Sequence, residues 1–84
     1  MKHFAHPDFW AALHSLPPEV QELAHKNFEL MKADERHPSI RLKKVGQLWS
    51  GRVGRDYRAL AQDRKEGLLW FWIGPHQEYD KLLG

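Results

Sequence analysis

Hydrophobic residues near the start of the chain recur at helical spacing in two segments. Asp8 directly precedes the first apolar stripe, so the sequence predicts a helix with Asp8 as its N-cap. Pro17 ends this helix, and Pro18 suits the first turn of a second helix, where the missing N–H of proline costs nothing. The second stripe predicts a helix that continues to about Asp34. The two stripes comprise Phe9, Trp10, Ala12, Leu13 and Leu16, and then Val20, Leu23, Ala24, Phe28 and Met31.

After the second helix the hydrophobic period changes from helical spacing to the alternation that is typical of strands. Ile40 and Leu42 alternate with Arg41 and Lys43. Three strand candidates follow, and their connections contain glycine, as hairpin turns would. These candidates are LWSGRV, DYRALAQ and LLWFWIG, and a short first strand is predicted at KHFAH.

The run LLWFWIG is apolar at successive positions, which predicts a central strand covered on both faces, with the helices on one side. The tail PHQEYDKLLG is expected to form a turn or a short helix. The order of elements therefore predicts one α+β domain over residues 1–84. In this domain two N-terminal helices pack on a twisted antiparallel sheet of about four strands, and a short C-terminal turn or helix follows.

The distribution of charge along the chain is more informative than the net charge. With 13 Lys and Arg against 11 Asp and Glu, the formal net charge is only +2. Seven basic residues and a single acid, Asp56, lie between positions 36 and 58. A polyanion would therefore be bound by local clustering and only weakly steered by the whole molecule. The seven are Arg36, Arg41, Lys43, Lys44, Arg52, Arg55 and Arg58.

Composition also excludes several classes of protein. The chain has no cysteine, which excludes a disulfide framework and thiolate zinc sites and is consistent with a reducing compartment. The longest apolar run has about a third of the length that a membrane-spanning helix needs, and no secretory leader is visible. We therefore expect a soluble, cytoplasmic protein that does not associate with membranes.

Three arginines at three-residue spacing, Arg52, Arg55 and Arg58, mark the segment WSGRVGRDYRAL. In a strand, Arg52 shares a face with Leu48 and Ser50 and leaves the core. A tight turn at GRD then places Arg52 and Arg58 on adjacent strands, close enough for two guanidinium groups to bind one phosphate. The alternative is a pair of solvated charges, with Arg58 paired to Asp56 or Asp63.

His76 follows the last predicted strand, and Tyr79 lies one helical turn further on. Histidine titrates near neutrality, so it suits a site that moves protons. The alternatives are that His76 caps the end of the sheet and that Tyr79 is an aromatic lid packed on it. The other five histidines are scattered and no cofactor motif is present, so we expect neither a metal nor a cofactor. Trp70 and Trp72, predicted on one face, are interpreted as packing residues.

The order of elements and four segments of the chain resemble the RelE/ParE toxin superfamily, and the resemblance extends nearly end to end. These segments are LPPEVQELAHKNFELM, HPSIRLKKV, GRVGRDYRAL and WFWIGPHQEYDKLL. A hairpin arginine, a Tyr-Arg pair and a glycine-histidine segment after the last strand are similar to the branch that cleaves messenger RNA, including HigB-type toxins. The resemblance implies a RelE-like fold, an RNA or gyrase target, and an antitoxin encoded by an adjacent gene.

Carried over by position, Arg58 matches the arginine of the superfamily's Tyr-Arg pair, and Arg52 matches the basic residue on the preceding strand. His76 matches the group after the final strand, and Tyr79 matches a tyrosine whose spacing varies within the superfamily. The implied function is metal-independent cleavage of messenger RNA at the ribosome. Arg52 and Arg58 then hold the scissile phosphate, His76 transfers the proton, and Tyr79 stacks on a base or orients His76.

Three further basic residues are expected to bind flanking phosphates or ribosomal RNA, namely Lys43, Lys44 and Arg55. The alternative function belongs to another class of protein. In it, the chain is a ParE-like inhibitor of gyrase, or an inactive toxin homologue that only binds an antitoxin.

Overall fold

A computed structural model describes residues 1–83 and contains three helices and five strands. The helices are α1 (Pro7–His14), α2 (Pro18–Ala33) and α3 (His76–Leu83). The strands are β1 (His3–Ala5), β2 (Lys43–Val45), β3 (Leu48–Val53), β4 (Tyr57–Arg64) and β5 (Gly67–Pro75). The predicted α+β order, including the helical tail, is confirmed.

All five strands form a single sheet in the order β1-β5-β4-β3-β2. The strands from β2 to β5 are antiparallel, as expected, but β1 adds to the edge of β5 in parallel. The side chain of His3 holds this edge strand, because its Nδ1 accepts a hydrogen bond of 3.2 Å from Nε1 of Trp70. Its Nε2 lies 2.7 Å from a carboxylate oxygen of Glu35. The sheet is therefore mixed, and the strand beyond the four that the sequence predicted is β2.

The hydrophobic core lies between one face of the sheet and the helices α1 and α2. Leu13 and Met31 of the helices pack there with Trp70 and Ile73 of β5, and all four are buried. The small helix α3 packs on β4 and β5. Its Tyr79 reaches Ser50 of β3, whose neighbour Gly51 faces the core. The C-terminal helix therefore lies on the opposite face from α1 and α2.

The predicted start of α1 is wrong in its capping residue, whereas the predicted start of α2 at Pro18 is confirmed. The N-cap of α1 is His6, whose Nδ1 accepts a hydrogen bond of 3.0 Å from the backbone N–H of Asp8. Pro7 occupies the first helical turn and has no N–H to cap. Asp8 therefore contributes an acidic side chain inside the first turn, where it faces the positive end of the helix dipole.

The alternation around Ile40 is typical of a strand, but of these residues only Lys43 belongs to one, because β2 begins there. Arg41 adopts a φ of 48°, which takes the backbone out of the extended region. Ile40 is nevertheless 2% exposed, so its hydrophobic side chain is buried from a loop. Alternation over so few residues does not separate a strand from an anchored loop.

The run LLWFWIG forms β5, but the central strand of the sheet is β4. Both α1 and α3 pack against β5, so helices cover it from both sides of the sheet. The pairing of β4 with β5 is irregular between Leu60 and Ala61. Leu60 pairs with Trp72, whereas the next residue, Ala61, pairs with Trp70. The two tryptophans therefore point to opposite faces, and the prediction that they share one face is wrong. Trp70 packs in the core, and Trp72 lies over Gly74.

Candidate functional site

The hairpin of β3 and β4 pairs Arg52 directly with Arg58 across the two strands. The backbone N–H of Arg52 donates to the carbonyl of Ile40 at 2.6 Å, away from β4. Arg52 and Arg58 are therefore a non-hydrogen-bonded pair, in which Cα atoms approach to about 4.5 Å and side chains lie close together. The predicted juxtaposition of these two arginines is confirmed.

Both guanidinium groups are held by carbonyl oxygens of the hairpin turn. Nε of Arg52 donates to the carbonyl of Gly54 at 3.0 Å, and an Nη atom of Arg58 donates to the carbonyl of Tyr57 at 2.8 Å. Within residues 1–83 neither group lies within ion-pair distance of a carboxylate. Asp63, the partner considered for Arg58, instead accepts a hydrogen bond from Nε1 of Trp49. The two guanidinium groups are thus positioned and keep donors for an anion.

A groove on this face of the sheet gathers four cationic side chains around a buried serine. The lining residues are Arg41, Lys43, Ser50, Arg52 and Arg58. Register places Lys43 opposite Ser50, which explains why a residue of the edge strand joins the hairpin. Arg41 and Ser50 were not among the predicted site residues. The alternation of β3 could have indicated Ser50, whereas the loop that carries Arg41 has no sequence pattern that reveals its geometry.

His76 begins α3 at the edge of a second groove, which Arg55 and Arg58 also line. Its backbone N–H donates to the carbonyl of Asp56 at 2.8 Å, so the hairpin turn holds the start of the helix. Its side chain is 47% exposed, and Nδ1 lies 3.2 Å from a carboxylate oxygen of Asp80. At this distance the carboxylate would stabilise a positive charge on the ring when the imidazole is protonated. Asp80 was missed, although its spacing of four residues from His76 places both on one helical face.

Tyr79 is 9% exposed and packs on the sheet. Its hydroxyl donates to Oγ of Ser50 at 3.0 Å, and its ring centroid lies 6.3 Å from that of His76. A ring buried to this extent has little face to offer an RNA base, so its burial argues against the predicted stacking role. The packing of Tyr79 fits the alternative of an aromatic lid. Because its ring lies near His76, the other predicted role, that of orienting the imidazole, stays a prediction.

The predicted RNA-binding residues do not all reach the same place. Lys43 lines the first groove and Arg55 lines the second. Lys44 pairs with Trp49, on the core-facing side of β3, and its Nζ lies 3.7 Å from Asp63. Adjacent strand residues point to opposite faces, so the structure separates Lys44 from the arginine pair.

Two further properties of residues 1–83 bear on the chemistry. Within this part of the chain, no three His, Asp or Glu side chains converge in a group that could hold a metal ion. None of its helices combines the length and the apolar composition that spanning a bilayer requires.

Solved structures of the same fold come from archaeal toxin-antitoxin complexes. The RelB-RelE antitoxin-toxin complex from Methanococcus jannaschii matches with a TM-score of 0.72 and 12% identity, covering 96% of this chain and 99% of that chain. The RelE-RelB complex from Pyrococcus horikoshii OT3 matches with a TM-score of 0.65 and 17% identity, covering 88% and 92% respectively. At these identities the likeness establishes a shared fold.

Comparison with families gives a match over residues 18–81, to the model described as the ParE-like toxin domain. A search among curated proteins found no match. The matched segment runs from the start of α2 into α3 and contains both arginines of the hairpin together with His76 and Tyr79. The chain belongs to the ParE-like toxin domain family, within the RelE/ParE superfamily that its motifs resemble.

Proposed function

We propose that this protein is the toxin of a toxin-antitoxin pair and that it cleaves messenger RNA at the ribosome, in the cytoplasm, without a metal ion. The observation that carries the proposal is the cross-strand arginine pair, whose guanidinium groups are positioned by turn carbonyls and lack carboxylate partners within residues 1–83. A ribose 2′-oxygen attacks the adjacent phosphorus, and the bond to the 5′-oxygen breaks. The products are a 2′,3′-cyclic phosphate and a 5′-hydroxyl.

Arg52 and Arg58 bind the scissile phosphate in this scheme. Charge on the phosphoryl oxygens increases in the transition state, and prepositioned cations stabilise such developing charge without reorganising at the moment of reaction. Planar guanidinium groups suit this role, because they bind phosphate oxygens with two parallel hydrogen bonds.

His76 accepts the proton of the 2′-hydroxyl through Nε2. Its contact with Asp80 supports this assignment, because the carboxylate orients the ring and stabilises the imidazolium that forms. The protonated ring can then return a proton to the departing 5′-oxygen, so one residue serves as base and then as acid. Tyr79 acts as a positioning residue that packs α3 onto the sheet.

Lys43 and Arg55 extend the cationic surface on either side of the arginine pair and are assigned to flanking phosphates or ribosomal RNA. Contacts of this kind are electrostatic, so the affinity for RNA should fall as salt rises. Lys44 lies on the other face and is left to contact ribosomal RNA outside the groove.

We also propose that the protein is neutralised by a cognate antitoxin encoded beside it. The solved structures of the same fold are complexes of RelE with RelB, which supports a small protein partner. An antitoxin that covers the groove would exclude RNA from Arg52 and Arg58.

A second candidate function is inhibition of gyrase, which the ParE-like description of the matched family favours. Controlled expression in cells separates the two, with growth, messenger-RNA integrity and DNA supercoiling followed together. Cleavage of messenger RNA before any change in supercoiling would support the nuclease. Loss of supercoiling with intact messenger RNA would overturn it in favour of gyrase inhibition, and growth without either change would indicate an inactive homologue.

A further inference from the structure

Arg41 has an unusual backbone conformation. Among residues 1–83 it is the one non-glycine residue with a positive φ, at 48°. L-residues with a Cβ are disfavoured there, and glycine or asparagine is the usual occupant. Strained residues of this kind persist where the surrounding structure determines them, and they cluster at functional sites.

The neighbours of Arg41 account for the conformation but do not require an arginine. Ile40 is anchored on one side: its side chain is buried, its N–H donates to the carbonyl of His37, and its carbonyl accepts from Arg52. On the other side Lys43 begins β2 in register with Ser50. The chain must turn between these two anchors, and a glycine at position 41 would turn with less strain.

What the arginine adds is a charge in the groove of Arg52 and Arg58. Arg41 lines this groove with Lys43, and within residues 1–83 its side chain makes no ion pair. The two guanidinium groups of Arg52 and Arg58 are already enough for bidentate binding of one phosphate. Further cations beside them repel the arginine pair modestly through solvent, and an anion with more than one charge in the groove would offset this repulsion.

We propose that Arg41 is a substrate-binding residue for the phosphate next to the scissile one, so that the groove holds two successive phosphates of a single RNA strand. This inference rests on the proposed RNA-cleaving function and specifies how the same groove reads its substrate. It requires a substrate of at least three nucleotides, since a dinucleotide carries only one bridging phosphate.

The test is equilibrium binding to two 2′-O-methyl RNA probes, which cannot be cleaved: an octanucleotide and a dinucleotide. Arg41→Gln should weaken octanucleotide binding roughly 10-fold at low salt, the effect of losing one charge-assisted contact. The slope of log affinity against log salt should fall by about 0.7, the value for one phosphate of a single strand. Dinucleotide binding should be unchanged within 2-fold. Arg41→Lys should retain most of the affinity because it keeps the charge.

Arg41→Gly separates a binding role from a structural one, because glycine accepts the backbone conformation. Its melting temperature should not fall, while its affinity for the octanucleotide should fall as far as that of Arg41→Gln. Arg64→Gln is the matched control: it also removes one positive charge, from an exposed residue six positions along β4 from Arg58, which is about 20 Å. It should change the affinity less than 2-fold.

Three results would overturn the inference. They are a glycine variant that binds RNA as well as the unmodified protein, an Arg41→Gln effect equal on both probes, and an effect no larger than that of Arg64→Gln. These results differ from failure of the proposed function. If the unmodified protein binds neither probe, either free or in the presence of ribosomes, the RNA-cleaving proposal itself fails. If Arg58→Gln weakens binding and Arg41→Gln does not, only the role of Arg41 is lost.

Discussion

At the scale of single residues, the site depends on which side chains already have partners. Among residues 1–83, the side chains of Arg52 and Arg58 are bound only by carbonyl oxygens of the hairpin, whereas the hydroxyl of Tyr79 donates to Ser50. A cation with unused donors can bind a phosphate, but a buried phenol with a satisfied hydroxyl cannot reach one. The arginines and His76 are therefore the residues whose replacement should alter chemistry without altering the fold.

Replacing Arg58 by glutamine should abolish cleavage of messenger RNA and arrest of growth. A prepositioned donor to a developing negative charge contributes on the order of 100-fold or more in rate. The measurement is single-turnover cleavage, with circular dichroism to verify the fold. Arg64→Gln on the same strand is the matched control and should cleave at the normal rate. A folded Arg58→Gln variant that is fully toxic would remove Arg58 from the mechanism.

Replacing His76 by glutamine should slow the chemical step by roughly 100-fold to 10,000-fold, the range of general acid-base catalysis. RNA binding should survive, because the imidazole is not assigned to a phosphate. Asp80→Asn should give a smaller loss, since it removes the orienting carboxylate and leaves the imidazole in place. The single-turnover rate as a function of pH checks this: its dependence on pH should flatten in His76→Gln. An unchanged rate would make His76 a structural cap of the sheet.

At the scale of elements, the β3–β4 hairpin is fixed from both sides. Nδ2 of Asn27 in α2 donates to the carbonyl of Arg52 at 3.3 Å, and the turn residue Gly54 has a φ of 64° beside Leu23. On the opposite face, Tyr79 of α3 bonds to Ser50 of β3. The arginine pair therefore owes its position to two helices that are distant from it in sequence.

The two turn glycines Gly46 and Gly54 allow a matched test of this docking. Their φ angles are 63° and 64°, so alanine costs about 1 kcal/mol of conformational energy at either position. A Cβ at Gly46 meets nothing within 4 Å, whereas one at Gly54 lies 2.5 Å from a methyl carbon of Leu23. Gly54→Ala should therefore lower the free energy of unfolding more than Gly46→Ala in urea titrations. Equal losses would show that the turn does not depend on its contact with α2.

Removing the hydroxyl of Tyr79 tests the other attachment. Tyr79→Phe leaves the buried Oγ of Ser50 without its partner and should cost about 1–3 kcal/mol of stability. Combined with Ser50→Ala, the second replacement should cost less than it does alone, which a double-mutant cycle measures. Cleavage by Tyr79→Phe below its melting temperature should stay within a few-fold of normal. A loss of 100-fold in a folded variant would instead return Tyr79 to the chemistry.

The elements that the sequence predicts correctly are those with a long, local pattern. The stripe of α2, the alternation through Arg52 and the glycine turn at Gly54 each depend on residues near one another in the chain, so they are readable without the structure. Strand alternation could also have separated Lys43 from Lys44, because adjacent residues of a strand point to opposite faces of the sheet. The features that the sequence did not predict depend on contacts between distant parts of the chain. The left-handed Arg41 follows from the anchoring of its neighbours, and the parallel pairing of β1 joins residues at opposite ends of the chain.

At the scale of the whole molecule, charge and apolar surface share one face of the sheet. The cationic groove lies there, and the same face carries partly exposed hydrophobic residues in one cross-strand row. The row crosses the sheet from β1 to β2. Phe4 pairs with Leu69, and Leu69 pairs with Gln62. Gln62 pairs with Leu48, which pairs with Val45. Phe4 is 44% exposed, and Leu82 of α3 is 58% exposed. A partner that covers this face would contact cations and apolar side chains together.

This combination predicts how a complex with the antitoxin should respond to salt. Cationic contacts alone are screened over about 8 Å at physiological ionic strength and would weaken steeply as salt rises, whereas burial of apolar area does not depend on screening. We therefore expect a neighbouring open reading frame to encode a small protein with acidic and apolar residues that co-purifies in molar salt. Its complex should not bind RNA, because a partner that covers this face would occupy the groove of Arg52 and Arg58.

The measurement is co-expression of the two reading frames, purification in 1 M salt, where the Debye length falls from about 8 Å to about 3 Å, and RNA binding by the purified complex. Phe4→Asp supplies the decisive variant, because it adds a charge to the apolar row and leaves all four cations of the groove in place. It should weaken the complex at high salt while the free protein still binds RNA. A complex that dissociates in molar salt would limit the partner to the cationic groove, and a complex that binds RNA as well as the free protein does would contradict neutralisation by covering the site.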